Sequence, residues 1–296
     1  MKDRFARIEV RVGSAATAER VAAEAYAAGA LGLEEREDEG GVGILLLLYA
    51  PMAAAQAVAD AARIAGDGCS VSDPVPVPED EADASEVWKR GLGATVVSPR
   101  LRIRPSFVVE PILPGQSELV IDPGQAFGIG GHLSTRLALE WVDILAPALG
   151  SEARVLDVGT GTGVLALAAL RRSEPGVIAV ALDLDPLATA AAAVHAEING
   201  LKTRLRVFTG PLEALREALD FDLVVANLSG AELLPALPGL AARVRPGGQA
   251  VLSGLLAEER GAIETEAERV GLVATDSRHG RDASDADWIS LICSRQ

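Results

Sequence analysis

The sequence predicts an α/β protein: a mostly parallel, doubly wound sheet in its second half, preceded by a small α+β domain. Three observations carry this expectation. An apolar strand, Val155 to Val158, runs into Gly159-Thr160-Gly161-Thr162-Gly163 and then into an apolar helix from Val164 to Leu170. From about Leu119 to Arg295, strand-like runs alternate with helical ones, the pattern of a parallel sheet covered by helices. Ahead of them, residues 5–77 read β-α-β-β-α-β, the order of a ferredoxin-like unit.

The elements follow in order. Residues 5–12 alternate apolar and polar, as a half-buried strand does. Thr17 to Ala28 is an Ala-rich helix closed by Gly29. Leu31 to Glu37 and Val42 to Tyr49 flank an acidic turn with Gly40-Gly41 and read as a hairpin. Pro51 opens a second helix through Ile64, and Cys69 to Val77 adds a last strand. Val75 to Asp83 is rich in proline and acid and has no apolar period, which marks a boundary. The expected organisation is a first domain over 1–78, a linker over 79–118 packed against the next domain, and a second domain over 119–296. Short strand-like runs at Ala94–Val97 and Leu101–Ile103 fall in that linker.

In the second domain, Val177 to Leu182 ends at Asp183 and Leu223 to Ala226 ends at Asn227. Leu205 to Thr209, Ala250 to Ser253 and Ala286 to Ser294 supply further strands. Parallel sheets of this kind bind ligands beyond the carboxyl ends of their strands, so Gly159, Asp183 and Asn227 converge on one edge. Gly159 and Gly161 let the backbone turn sharply and approach a ligand. The Asp183 carboxylate can accept two hydrogen bonds from a ribose diol. Dinucleotide sites favour G-x-G-x-x-G, with a pyrophosphate on the helix N-terminus. Here the run is G-x-G-x-G, with Asp157 two residues before it. S-adenosylmethionine has no phosphate and carries a free ammonium group, which suits an acidic strand end. It is the expected cofactor; a nicotinamide dinucleotide and a glycine turn without ligand are the alternatives.

Composition narrows the classes. The 296 residues are 49% hydrophobic but only 3% aromatic, so the core must be built from Ala, Leu and Val. A net charge of −15 argues against a nucleic-acid partner. It suits a basic protein, or serves solubility alone. Cys69 and Cys293 have no metal-ligand spacing, so no metal is expected and reduced thiols in the cytoplasm are the simple reading. Met1-Lys2-Asp3-Arg4 leads into no apolar signal core, and the longest apolar run, Ile44 to Ala50, is too short to span a bilayer.

A second glycine-rich segment runs from Asp122-Pro123-Gly124 through Phe127-Gly128-Ile129-Gly130-Gly131-His132 to Ser134-Thr135, and a helix from Arg136 to Ile144 follows. The Ser and Thr can cap that helix, or the Thr135 hydroxyl can meet the polar end of a cofactor. Together the motifs resemble the ribosomal protein L11 methyltransferases. That family's pattern is D-P-G-x-A-F-G-T-G-x-H-x-T-T, then V-L-D-x-G-x-G-x-G, D-x-D-P and V-A-N-[IL]. Here the segments are Asp122 to Thr135, Val155 to Gly163, Asp183 to Pro186, and Val225 to Leu228. The Pro246-Gly247-Gly248 turn, Asp287-Trp288-Ile289, Trp88-Lys89-Arg90 and Arg104-Pro105-Ser106 also fit.

The resemblance implies a Rossmann-like class I methyltransferase domain behind a small substrate-recognition domain. It implies transfer of methyl groups from S-adenosylmethionine to lysine or N-terminal amines of a large-subunit ribosomal protein. Cofactor contacts would fall on Thr135, Gly159, Asp183 and Asn227. The family Thr of F-G-T-G is Ile129 here, and the first Thr of T-T is Ser134. A different methyl acceptor, or a binding module without turnover, stays as the alternative. Asn227 is read as orienting an amine, against a simple turn cap. His132 is read as ordering its loop, His195 as a surface residue, and Glu258 to Arg269 as a solvated helix face. His279 sits in a polar stretch with no evident partner.

Overall fold

The structure is a computed structural model and describes residues 5–37, 43–66, 68–77, 93–123, 131–215, 220–282 and 285–296. The chain forms two compact units: Met1–Gly93 with Pro123–Phe127, and Ala94–Asp122 with Gly128–Gln296.

The first unit contains β1 (Phe5–Val12), α1 (Ala15–Ala27), β2 (Gly32–Glu37), β3 (Ile44–Pro51), α2 (Ala55–Ala65), β4 (Ser70–Val71) and β5 (Val75–Pro76). β3 lies antiparallel between β1 and β2, and β4 and β5 both pair with β1. This is the ferredoxin-like arrangement expected, with the last strand split in two. Ala6, Ile8, Val10 and Val12 are all buried on β1, the period of two read from the sequence. They meet Val21 and Ala25 of α1 and Val58, Ala59 and Ala62 of α2. Ser14 caps α1 by accepting from Thr17 N at 3.3 Å, and Gly29 at φ 107° ends that region. Pro51 does not open α2. It closes β3, and a turn in which Ala54 N donates to Pro51 O separates it from the helix. The Gly40-Gly41 turn lies outside the described residues.

The second unit opens with a small sheet of β6 (Thr95–Ser98), β7 (Leu101–Arg104) and β8 (Ser117–Val120). The expected linker therefore does not extend to 118. From Ala94 onward it belongs to the second unit; 79–92 lie outside the described residues. The physical reason is burial. Leu101, Ile103, Leu119 and Ile121 are at most 1% exposed and join the core formed by the next two helices. Arg102 is buried with them, donating to Glu118 and to the carbonyls of Glu110 and Pro111.

The main sheet is built from β9 (Arg154–Val158), β10 (Ile178–Asp183), β11 (Leu205–Thr209), β12 (Phe221–Asn227), β13 (Val244–Leu256), β14 (Leu272–Arg281) and β15 (Asp287–Arg295). Its order is β11-β10-β9-β12-β13-β15-β14. The first five strands are parallel, and β15 runs antiparallel between β13 and β14. The helices are α3 (Leu133–Leu145), α4 (Val164–Arg172), α5 (Pro186–Ile198), α6 (Gly230–Arg243) and α7 (Arg260–Arg269).

Side chains alternate across the strands. Val155, Ala181 and Val225 face α3 and α4, while Leu156, Leu182, Val224 and Ala226 face α6 and α7. The helices bring alanines to these faces, among them Ala138, Ala166, Ala168 and Ala169, so the core needs few aromatics. β14 takes in the first part of the polar stretch that holds His279: as an edge strand it leaves much of its surface to solvent. No helix among the described residues is long and apolar enough to cross a membrane.

Candidate active site

The strand order sets the position of the site. β10 and β11 lie to one side of β9, and β12 and β13 to the other. A crevice therefore opens beyond the carboxyl end of β9. Val158 is in register with Leu182 and Ala226. One residue further along, Gly159, Asp183 and Asn227 share a row. Thr209 pairs with Asp183 and Ser253 with Asn227 in the same row.

The glycine turn has a conformation that side-chain-bearing residues rarely adopt. Gly159, Gly161 and Gly163 have φ of 69°, 52° and 83°. A Cβ on Gly159 would stand 2.5 Å from Leu228 Cδ2, and one on Gly163 would stand 3.0 Å from Ala192 Cβ. Gly159 N and Thr160 N both donate to Leu182 O, at 2.9 and 3.0 Å. Gly161 N donates to Asp183 Oδ2 at 2.9 Å. The turn is thus tied to the end of β10. Asp183 Oδ1 accepts from Asp185 N at 3.0 Å, and Asp185 caps α5 through Leu187 N. A carboxylate has about four lone-pair sites, so each Asp183 oxygen keeps capacity for a hydroxyl donor.

Asp157 lies beneath the turn with no exposed surface. Its Oδ2 accepts from Thr160 Oγ1 at 2.7 Å and from Ala166 N at 3.0 Å. Its Oδ1 is buried without a partner among the described residues. Burial pushes this carboxyl up to about 6, and the nearby Asp183 charge adds to the rise; the bonds from Thr160 and Ala166 act against it. A carboxyl held there instead of at the solvated value of about 3.9 costs on the order of 3 kcal/mol at neutral pH. The sign follows from proton counts. Between the two values the native state holds more protons than the unfolded state, so stability falls as pH rises through this window. Above the folded value the cost is constant. Asp157→Asn should therefore gain on the wild type between pH 4 and pH 7, as read by urea unfolding without ligand. A difference that does not change with pH would show that Asp157 does not titrate there.

Thr135 is not a helix cap. It sits in the first turn of α3, 1% exposed, and Asn227 Nδ2 donates to its Oγ1 at 3.1 Å. The cap is His132, whose Nδ1 accepts from Ser134 N and lies 2.7 Å from Ser134 Oγ. The His132 ring meets Trp288 edge-on at 4.8 Å, consistent with an ordering role. Asn227 Oδ1 is buried without a partner among the described residues.

The sequence reading missed two residues. Ser253, fully buried beside Asn227, donates to Ser134 O at 2.8 Å and fixes α3 against β13. Its signal was the one that marked Asp183 and Asn227: a polar residue closing an apolar run. His195 is not on the surface but 4% exposed. Its signal was helical spacing, since Ala188, Ala192, His195 and Asn199 recur on one face of α5. Ile129 and Trp88-Lys89-Arg90 lie outside the described residues.

The described residues fit S-adenosylmethionine in chemistry. Asn227 Oδ1 is a buried acceptor without a partner among the described residues, Asp183 offers a charged acceptor at the tip of β10, and the Asp157 carboxyl lies beneath the turn. The acidic groups at this edge suit a cationic ligand with a diol. The same acids disfavour a pyrophosphate placed beside them.

Comparison with known proteins agrees. Residues 34–296 match the family described as Ribosomal protein L11 methyltransferase (PrmA). A ribosomal protein L11 methyltransferase of Pelobacter propionicus is 36% identical over 231 residues, covering 77% of this chain and 72% of that protein. One from Thermus thermophilus is 37% identical over 216 residues, covering 73% and 78%. The crystal structure of a ribosomal protein L11 methylase from Lactobacillus delbrueckii subsp. bulgaricus superposes with a TM-score of 0.59 at 29% identity, over 69% of this chain and 99% of that one. The α/β fold is the Rossmann-like methyltransferase fold expected, and the cofactor class is S-adenosylmethionine. The chain belongs to the ribosomal protein L11 methyltransferase family.

Proposed function

We propose that this S-adenosylmethionine-dependent methyltransferase modifies amines of ribosomal protein L11, at lysine side chains, at the N-terminus, or at both. The observation that carries the reading is the Asn227–Thr135 pair. Thr135 Oγ1 holds the amide nitrogen at 3.1 Å, which turns a buried, unpartnered Oδ1 into an oriented acceptor. That oxygen stands in the same strand-end row as Asp183 and suits an N–H-bearing group.

When bound, S-adenosylmethionine supplies a methyl group already activated by cationic sulfur. The work left to the chain is positioning. In this reading Asp183 accepts from the ribose diol, Gly159 and Gly161 let the backbone close on the ligand, and Asp157 balances the ammonium. Thr135 and Asn227 hold the polar end of the cofactor or the incoming amine. A lysine starts near a pKa of about 10.4 and must lose a proton before attack. Desolvation beside a cation lowers that value, so water can take the proton and no residue is assigned as a base. The net charge of −15 favours a basic protein substrate.

The test is incubation with tritiated S-adenosylmethionine and purified L11, with intact large subunits in parallel. Label on L11 amines, located by mass spectrometry, is the expected result. Label only on another protein or a small molecule would move the reading to a different acceptor. Binding without any transfer would mark a non-catalytic module.

The first domain is assigned to recognising the protein target and the second to the cofactor, since every cofactor motif lies in 119–296. A chain beginning near Asp83 should bind S-adenosylhomocysteine as the whole protein does, yet scarcely methylate L11. Full methylation by that shorter chain would remove the first domain from recognition.

A further inference from the structure

We propose that His195 is a positioning residue for methyl transfer, tying the glycine turn to the start of the Asp122–Thr135 segment so that occupancy of the turn is felt at Asp122. The inference rests on the reading of residues 159–163 as the cofactor turn. Both ring nitrogens are engaged: Nδ1 lies 2.9 Å from Thr162 O, and Nε2 accepts from Asp122 N at 3.1 Å. The partners decide the tautomer. A carbonyl only accepts and a backbone amide only donates, so Nδ1 carries the proton and Nε2 is bare.

The two tied points belong to different parts of the site. Thr162 stands between Gly161, whose amide holds Asp183, and Gly163, which leaves room for Ala192. α5 therefore seats on the turn at Ala192 and reaches Asp122 through His195 one turn later. A further turn along, Asn199 accepts from Val120 N at 2.8 Å and donates to Val120 O at 2.7 Å. Val120 and Asp122 point their backbone groups the same way, as alternate residues of a strand do. Two side chains of α5 thus take the place of a neighbouring strand along this edge. Asp122 in turn accepts from Ser106 N at 2.6 Å. The same helix begins at Asp185, which bonds to Asp183. One packed helix consequently carries the end of the ribose acid's strand, the floor of the turn and the anchor of Asp122. Packed interiors transmit small displacements.

Amide hydrogen exchange at Asp122 tests this without relying on turnover. In the wild type, S-adenosylhomocysteine should slow exchange at Asp122 by roughly tenfold or more, because local opening there is coupled to the occupied turn. His195→Phe fills the volume but bonds neither partner, and should lose that response while still binding the ligand. Its kcat should fall by roughly tenfold to a hundredfold, with the KM for S-adenosylmethionine nearly unchanged. His195→Gln, whose carbonyl oxygen can accept from Asp122 N, should recover most of the exchange response and of kcat; it also serves if the Phe variant does not fold. Ligand binding that leaves Asp122 exchange unmoved in the wild type, or slows it equally in both variants, would overturn the inference alone. A wild type that does not bind S-adenosylhomocysteine would overturn the cofactor reading and the inference with it.

Discussion

Asp183→Ala is expected to weaken S-adenosylmethionine binding at least tenfold. Each hydrogen bond to a charged acceptor is worth about 1.5–3 kcal/mol, and the ribose diol is assigned two of them. The carboxylate also takes the Gly161 and Asp185 amides, so its loss loosens the glycine turn and the start of α5 together. Asp183→Asn should fall between the variant and the wild type, since one oxygen survives without the charge. Titration calorimetry on folded protein reads the effect, with NAD titrated in parallel and expected not to bind. An unchanged Kd in folded Asp183→Ala would mean that the carboxylate faces away from the ligand. Tight NAD binding with no response to S-adenosylmethionine would reject the cofactor.

Asn227→Ala should lower kcat by roughly a hundredfold through lost orientation, with only a small change in thermal stability. The argument is asymmetric. Among the described residues Asn227 makes a single side-chain bond, to Thr135, and its Oδ1 is a buried acceptor left unpaired. An unpaired buried acceptor costs about 1–3 kcal/mol, so deleting the side chain removes a cost along with a bond. Thr135→Val, which keeps the shape but removes the hydroxyl, should lower kcat in the same direction by freeing the amide to rotate. A variant that melts far below the wild type yet keeps full specific activity would make Asn227 a structural residue.

The mode of failure in the sequence reading differed from residue to residue. His195 was placed on the right helix, but as a surface residue and not a buried one. Thr135 was placed just ahead of its helix, with a cap and a cofactor contact as its two readings; it lies in the first turn and does not cap it. The strands of 95–104 were seen, yet their membership in the second unit was not. The start of α2 and the edge strand β14 were not legible, while the end of α2 was read to within a residue. Proline at a strand end and at a helix start carry the same local preference for φ, and a half-exposed edge strand resembles a polar loop.

What the sequence by itself determined is what local chemistry encodes. Three glycines in nine residues require a backbone that turns where side chains do not fit, and Gly159, Gly161 and Gly163 all adopt left-handed φ. An apolar run closed by a polar residue marks a strand end, and Asp183 and Asn227 both close theirs. The motif spacing also sufficed for the family resemblance. Only the tertiary structure decided which of these groups meet. Asn227 reaches Thr135 across 92 residues of chain, Ser253 reaches Ser134 across 119, and Asp122 reaches His195 across 73. Those contacts depend on strand register and on which face of a helix is covered. Both are set by packing between distant elements, a long-range balance of burial that no local window of sequence contains.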